Sequence, residues 1–168
     1  MGVLDGKIAL VTGAGQGIGR GIALALAKEG ALIAVTGRTK SKLDAVCREI
    51  KKAGGRAEPI TCDVCKLDEV NATVETAKEI FDGLDILVNN AYEGAFGPLL
   101  SVDDAKFQLG FFAGPIATFR FMKAAYPYLK ERGGGDIINL GTSAAVRWDM
   151  SNYGPYGAAK EGIRVLTR

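Results

Sequence analysis

Two short stretches of this chain combine residue types and spacings that could do chemistry. Tyr156 and Lys160 stand four positions apart in Tyr156-Gly157-Ala158-Ala159-Lys160. On a helix that spacing puts both side chains on one face. An ammonium beside a phenol favours the phenolate, so the pair could exchange a proton near neutral pH, which an isolated tyrosine does poorly. Taken alone, such a pair is more often a surface feature than a catalytic one, and its context decides. The second stretch is Thr12-Gly13-Ala14-Gly15-Gln16-Gly17-Ile18-Gly19, directly after the apolar run Ile8-Ala9-Leu10-Val11. Small residues let the backbone turn sharply and come close to a pyrophosphate, and a following helix offers unpaired N–H groups and the positive end of its dipole. The chain has no histidine. That removes Ser-His-Asp hydrolysis, Cys-His proteolysis and most zinc hydrolysis, leaving Tyr, Lys, Asp, Glu or Cys for acid–base work.

Cys62-Asp63-Val64-Cys65 has C-x-x-C spacing, but a structural zinc would need two more ligands and only Cys47 is left. It lies away from the first strand–helix unit, where a redox pair would be expected to open a helix. The plain reading is a strand end carrying two small thiols. Three cysteines and no export signal also argue against a disulfide framework.

The elements that must position these residues alternate along the chain. Strands are expected over residues 7–12, 31–36, 57–62, 84–88 and 136–140. Helices are expected over 19–29, 42–53 (with Ser41 as N-cap), 67–81, a long stretch 103–132 that Gly114-Pro115 would bend or split, and 155–168. Apolar runs alternating with helical patterns predict βαβ units, hence a parallel sheet with helices on both faces. Right-handed crossovers favour the order 3-2-1-4-5, a Rossmann-like three-layer α/β fold over a single domain, 1–168. With 168 residues, 48% hydrophobic and 24% charged, the chain is long enough for one sizeable core. Its net charge of +2 suggests neither a nucleic-acid nor a membrane partner, and a cytoplasmic protein is expected. In this setting the glycine stretch reads as a dinucleotide site. The second strand runs into Val35-Thr36-Gly37-Arg38. An acid there would bind the ribose hydroxyls. Gly37 removes it, and Arg38 supplies a guanidinium where a 2′-phosphate would lie, favouring NADP(H) over NAD(H). The other reading of Arg38 is a solvated turn residue.

With these residues placed, all 168 positions resemble a classical short-chain dehydrogenase/reductase. Four features carry the resemblance, in order: the glycine stretch, Asp63-Val64 after the third strand, Asn89-Asn90-Ala91 after the fourth, and the Tyr156/Lys160 pair. The resemblance implies a cofactor site made of Gly13, Gly15, Gln16, Gly17, Ile18, Gly19, Arg38, Asp63, Val64, Asn90, Ala91, Tyr156 and Lys160. It implies that Tyr156 passes a proton to or from a carbonyl or alcohol oxygen. Lys160 would bind the nicotinamide ribose and, by its charge, favour the Tyr156 phenolate. Ser143 would hydrogen-bond the substrate oxygen, although counting along the strand from Asn139 selects Thr142 instead. A small-molecule substrate and a homo-oligomer, dimer or tetramer, are also implied. The aromatics Tyr92, Phe96, Trp148 and Tyr153 suggest an apolar or cyclic substrate.

Three departures stand against the pattern. Tyr92 occupies a position where the family usually has glycine. Gly114 falls where the family often has a water-holding asparagine, so the helix there is expected to be remodelled. The chain also ends inside the Tyr156 helix, so the family's last strands have no counterpart and a truncated product is expected. An inactive or purely dinucleotide-binding protein is the alternative.

Overall fold

The computed structural model describes residues 2–147 and 151–168. Its strands are β1 (Ile8–Thr12), β2 (Leu32–Gly37), β3 (Ala57–Thr61), β4 (Ile86–Asn89) and β5 (Asp136–Asn139). Its helices are α1 (Gly17–Lys28), α2 (Lys40–Lys52), α3 (Leu67–Phe81), α4 (Asp104–Phe111), α5 (Ala117–Glu131) and α6 (Gly154–Leu166). The strands form one parallel sheet in the order β3-β2-β1-β4-β5, as the alternation predicts. Among the described residues, no helix is long and apolar enough to cross a membrane.

Alternation along each strand sorts the core into two layers. Ile8, Leu10, Ala34 and Leu87 face α3 and α5, packing on Val70, Val74, Phe81 and Phe121. Ala9, Val11, Ile33, Val35 and Val88 face α1 and α2, packing on Ala23, Leu43, Val46 and Ile50. The central strand β1 is buried along its whole length, as its unbroken apolar sequence requires. Pro59 lies on β3, at one edge of the sheet, where a missing N–H costs least. At the other edge is β5, with Ile138 46% exposed. Asp85, just before β4, is the buried charge of this end of the sheet. It accepts from the Ile8 N–H at 2.9 Å and pairs with Arg132 at 3.2 Å and Lys7 at 3.4 Å. Burial opposes its ionisation, but these partners outweigh it and hold the carboxyl below the usual carboxylate range.

Two local expectations need correction. The cap of α2 is Thr39, not Ser41. The Thr39 carbonyl already accepts from Lys42 and Leu43, so the helix starts before the serine. The long helical stretch is divided rather than merely bent. A π-helical turn, Phe112–Ile116, separates α4 from α5, with Gly114 at φ −97° and ψ −108°. Pro115 has no N–H to donate and its ring crowds the preceding turn, so the hydrogen-bond register shifts there.

Candidate active site

The sheet order reverses between β1 and β4, and the loops beyond their carboxyl ends open a cleft there, as open α/β sheets do. Thr12 joins the two strand ends. Its hydroxyl donates to the Val88 carbonyl at 3.2 Å and accepts from the Asn90 and Ala91 N–H groups at 2.9 and 3.0 Å. The Asn90 amide donates to the Thr12 carbonyl at 2.8 Å. One small hydroxyl and one amide therefore fix the glycine loop against the loop after β4. Gly13 has φ +66°, a backbone region that suits glycine. A Cβ on Gly19 would lie 2.4 Å from the Gly13 carbonyl oxygen and 2.5 Å from the Asn90 amide nitrogen, so only glycine lets α1 approach this closely.

The cleft has a volume of about 350 Å³. It is lined by Gly13, the run from Gly15 to Gly19, Arg38, Asp63, Val64, Asn90 and Ala91, which are all the cofactor residues expected from the sequence apart from Tyr156 and Lys160. No side chain caps the N-terminus of α1, and its first turn has no acid. Its N–H groups there suit an anion. The donor set thus fits a dinucleotide, with its pyrophosphate at the start of α1. Two charged lining residues, Lys42 and Glu93, were not expected from the sequence, and Tyr92, expected among the substrate aromatics, lines the cleft as well. The Lys42 ammonium donates to Gln16 Oε1 at 2.5 Å. Its place one turn into a helix just after Arg38 was the available signal. Glu93 pairs with Arg38 at 2.7 Å, both side chains being substantially exposed. Arg38 thus lies exposed in the bend after β2 with Glu93 as its ion-pair partner. Asp63 accepts from the Cys65 N–H at 3.0 Å and shapes its own turn. Cys62 and Cys65 are free thiols, and burial pushes both above the ordinary thiol range.

On the other side of Tyr92 lies the second set. The Tyr92 and Tyr156 rings meet edge to face, with centroids 5.1 Å apart. Phe96 lies 4.8 Å from the Tyr156 ring and Tyr153 lies 6.0 Å from it. Trp148 falls outside the described residues. Lys160 is 4% exposed, and its Nζ donates to the Leu140 carbonyl at 2.6 Å, just past β5. The ammonium stands 5.0 Å from the Tyr92 ring centre and 5.9 Å from that of Tyr156. Burial pulls Lys160 down to about 8. The turn Ser143–Ala145 lies against α6, where a Cβ on Gly157 would be 3.0 Å from the Ala144 carbonyl oxygen. Thr142 caps that turn through its hydroxyl, which accepts from the Ala144 N–H at 3.3 Å, while Ser143 is exposed.

The short chain dehydrogenase family profile matches residues 7–168. The chain belongs to the short-chain dehydrogenase/reductase family. It is 41% identical over 176 aligned positions to a 12alpha-hydroxysteroid dehydrogenase of a Clostridium species, covering 100% of this chain and 67% of that protein. A solved 7 alpha-hydroxysteroid dehydrogenase complexed with NADH and 7-oxo glycochenodeoxycholic acid superposes with a TM-score of 0.92 at 32% identity, over 97% of this chain and 63% of that one. A metagenomic short-chain oxidoreductase in complex with NADP gives 0.90 at 35% identity, over 97% and 74%. This short-chain dehydrogenase chain thus spans roughly two thirds of the length of these proteins.

Proposed function

We propose that this chain transfers a hydride between NADP(H) and a small carbonyl or alcohol substrate, with Tyr156 as general acid and base. One observation supports this reading above the others. Tyr156 and the buried Lys160 stand together beside Tyr92, which also lines the glycine-loop cleft. Gly15 to Gly19 would hold the pyrophosphate, with the adenine against Asp63-Val64 and Ala91, and Lys160 at the nicotinamide ribose. When bound, the dinucleotide supplies or accepts the hydride. Tyr156 holds or takes the proton at the substrate oxygen, with the Lys160 ammonium 5.9 Å from its ring centre. Ser143, whose side chain is exposed, is our candidate to orient that oxygen, while the Thr142 hydroxyl accepts from the Ala144 N–H in the turn.

Arg38 supports NADP(H), with Lys42 as a nearby second cation. The rings of Phe96, Tyr153 and Tyr92 around Tyr156 form an apolar wall suited to a cyclic ketone. Relatives that bear hydroxysteroid names agree with that substrate class. A homo-oligomer is consistent with the exposed Phe112 and Phe119. Mixing the protein with NADPH and a panel of cyclic ketones, and following nicotinamide absorbance, tests the activity. Tyr156→Phe should lose about 100-fold or more in kcat while NADPH binding stays near wild type. Turnover in Tyr156→Phe equal to wild type would sink the mechanism.

A further inference from the structure

Tyr92 is a residue that neither the glycine loop nor the proton-transfer pair accounts for. It lies in a socket made of three glycines. A Cβ on Gly94 would fall 2.5 Å from its Oη, and one on Gly110 would fall 3.0 Å away. A Cβ on Gly114 would just touch the ring edge, at 3.4 and 3.5 Å, so any longer side chain there would have to displace the ring. Gly110 and Gly114 are one turn apart, at the end of α4 and in the π-helical turn, and together they present a groove of the ring's length. The other side of the ring meets Tyr156 at 5.1 Å and the Lys160 ammonium at 5.0 Å.

The hydroxyl does not explain this arrangement. Tyr92 Oη is buried and has no hydrogen-bond partner among the described residues. Burial, with the neighbouring Tyr156 charge adding to it, pushes the phenol up to about 12, so it stays neutral across the working range. The ring is the working part. It stands against the ammonium, which also donates a hydrogen bond to the Leu140 carbonyl.

We propose that Tyr92 is a positioning residue for proton transfer: held by Gly94, Gly110 and Gly114, its ring sets the Tyr156 ring edge-on and shuts water away from Lys160 Nζ. This explains why a side chain is missing at Gly114, since the ring fills the space that such a side chain would need. The inference rests on reading Tyr156 and Lys160 as the proton-transfer pair. The ring acts on Lys160 in two opposed ways. A cation over its face is attracted, which favours the charged form, and exclusion of water disfavours it. Burial displaces Lys160 downward, to about 8, the direction that exclusion of water gives. Among the described residues, the titratable groups facing the ammonium are the phenols of Tyr92, from the loop after β4, and of Tyr156, from its own helix. Glu161, next along α6, pairs with Arg164.

The test measures the pH dependence of Lys160 acylation by acetic anhydride, read by peptide mass spectrometry, on the whole chain without substrate. In wild type and in Tyr92→Phe, Lys160 should titrate near 8. In Tyr92→Ala it should rise by about one unit or more, a tenfold fall in its neutral fraction at fixed pH. Gly110→Ala, which presses on Oη, should raise it too, and the double variant Gly110→Ala/Tyr92→Phe should restore it. If Tyr92→Ala folds, by circular dichroism, and titrates as wild type, the proposal is wrong. If Tyr92→Ala does not fold, equal values in wild type, Gly110→Ala and the double variant overturn it. The expected shifts without ketone reduction by wild type would leave Tyr92's control of Lys160 standing and remove the reductase reading.

Discussion

The two sides of the cleft are held in different ways. The nucleotide side is stitched by hydrogen bonds between neighbouring strand ends, with the Thr12 hydroxyl and the Asn90 amide each serving both loops. The Tyr156 side is held by ring packing, with Phe96 and Tyr156 touching each other and each touching both Tyr92 and Tyr153, and the Lys160 ammonium near the Tyr92 and Tyr156 rings. Hydrogen bonds fix direction and distance, which suits recognition of a pyrophosphate by backbone N–H groups. Packed rings fix position and exclude water, which suits control of a titrating lysine. The contrast predicts that damage on the first side removes stability and cofactor binding together. Damage on the second side should change proton chemistry while leaving binding largely intact.

The largest expected effect is Gly19→Ala. The new methyl would overlap the Gly13 carbonyl and the Asn90 amide, and neither can withdraw without opening the loop. We expect a loss of about 3 kcal/mol in unfolding free energy and no measurable NADPH binding, read by chemical denaturation and fluorescence titration. A stable, binding-competent Gly19→Ala would break the comparison on its first side. Thr12→Val is isosteric and removes the shared hydroxyl. It should cost about 2 kcal/mol, because the Asn90 and Ala91 N–H groups lose their acceptor, and it should weaken NADPH and NADH binding alike. A loss confined to one cofactor would contradict the stitching role.

Glu93→Gln is the smallest change and the one that sharpens the boundary between the two sides. Glu93 follows Tyr92 in the chain but points its charge at Arg38. An exposed ion pair of this kind is weak, so a 2′-phosphate can displace the carboxylate at small cost. Removing the negative charge should tighten NADPH binding about two- to fivefold and leave NADH unchanged, measured by calorimetry. Equal effects on both cofactors would mean that Arg38 does not read the 2′-phosphate.

Much of this was legible in the sequence. The glycine stretch between an apolar strand and a helix located the cleft, because a buried parallel strand must be apolar and a phosphate loop must lack side chains. Gly114-Pro115 marked the break between α4 and α5, because proline cannot donate to the helical ladder. The Arg38–Glu93 pair was not legible, since two exposed charges on different loops have no local spacing that links them. The cap of α2 falls at Thr39 rather than Ser41, although serine is the better cap residue, because where the helix starts depends on how the chain leaves β2.

By itself the sequence determined the strand order, the glycine-loop cleft and the Tyr156/Lys160 spacing, all of which follow from local periodicity and residue type. Only the tertiary structure decided what surrounds Lys160. The Tyr92 ring comes from the loop after β4, its glycine socket from that loop, α4 and the π-helical turn, and the Leu140 carbonyl from the end of β5. These segments are far apart in the chain and meet only because the sheet sets them side by side. Burial and ring contact, unlike helical period, are properties of that meeting.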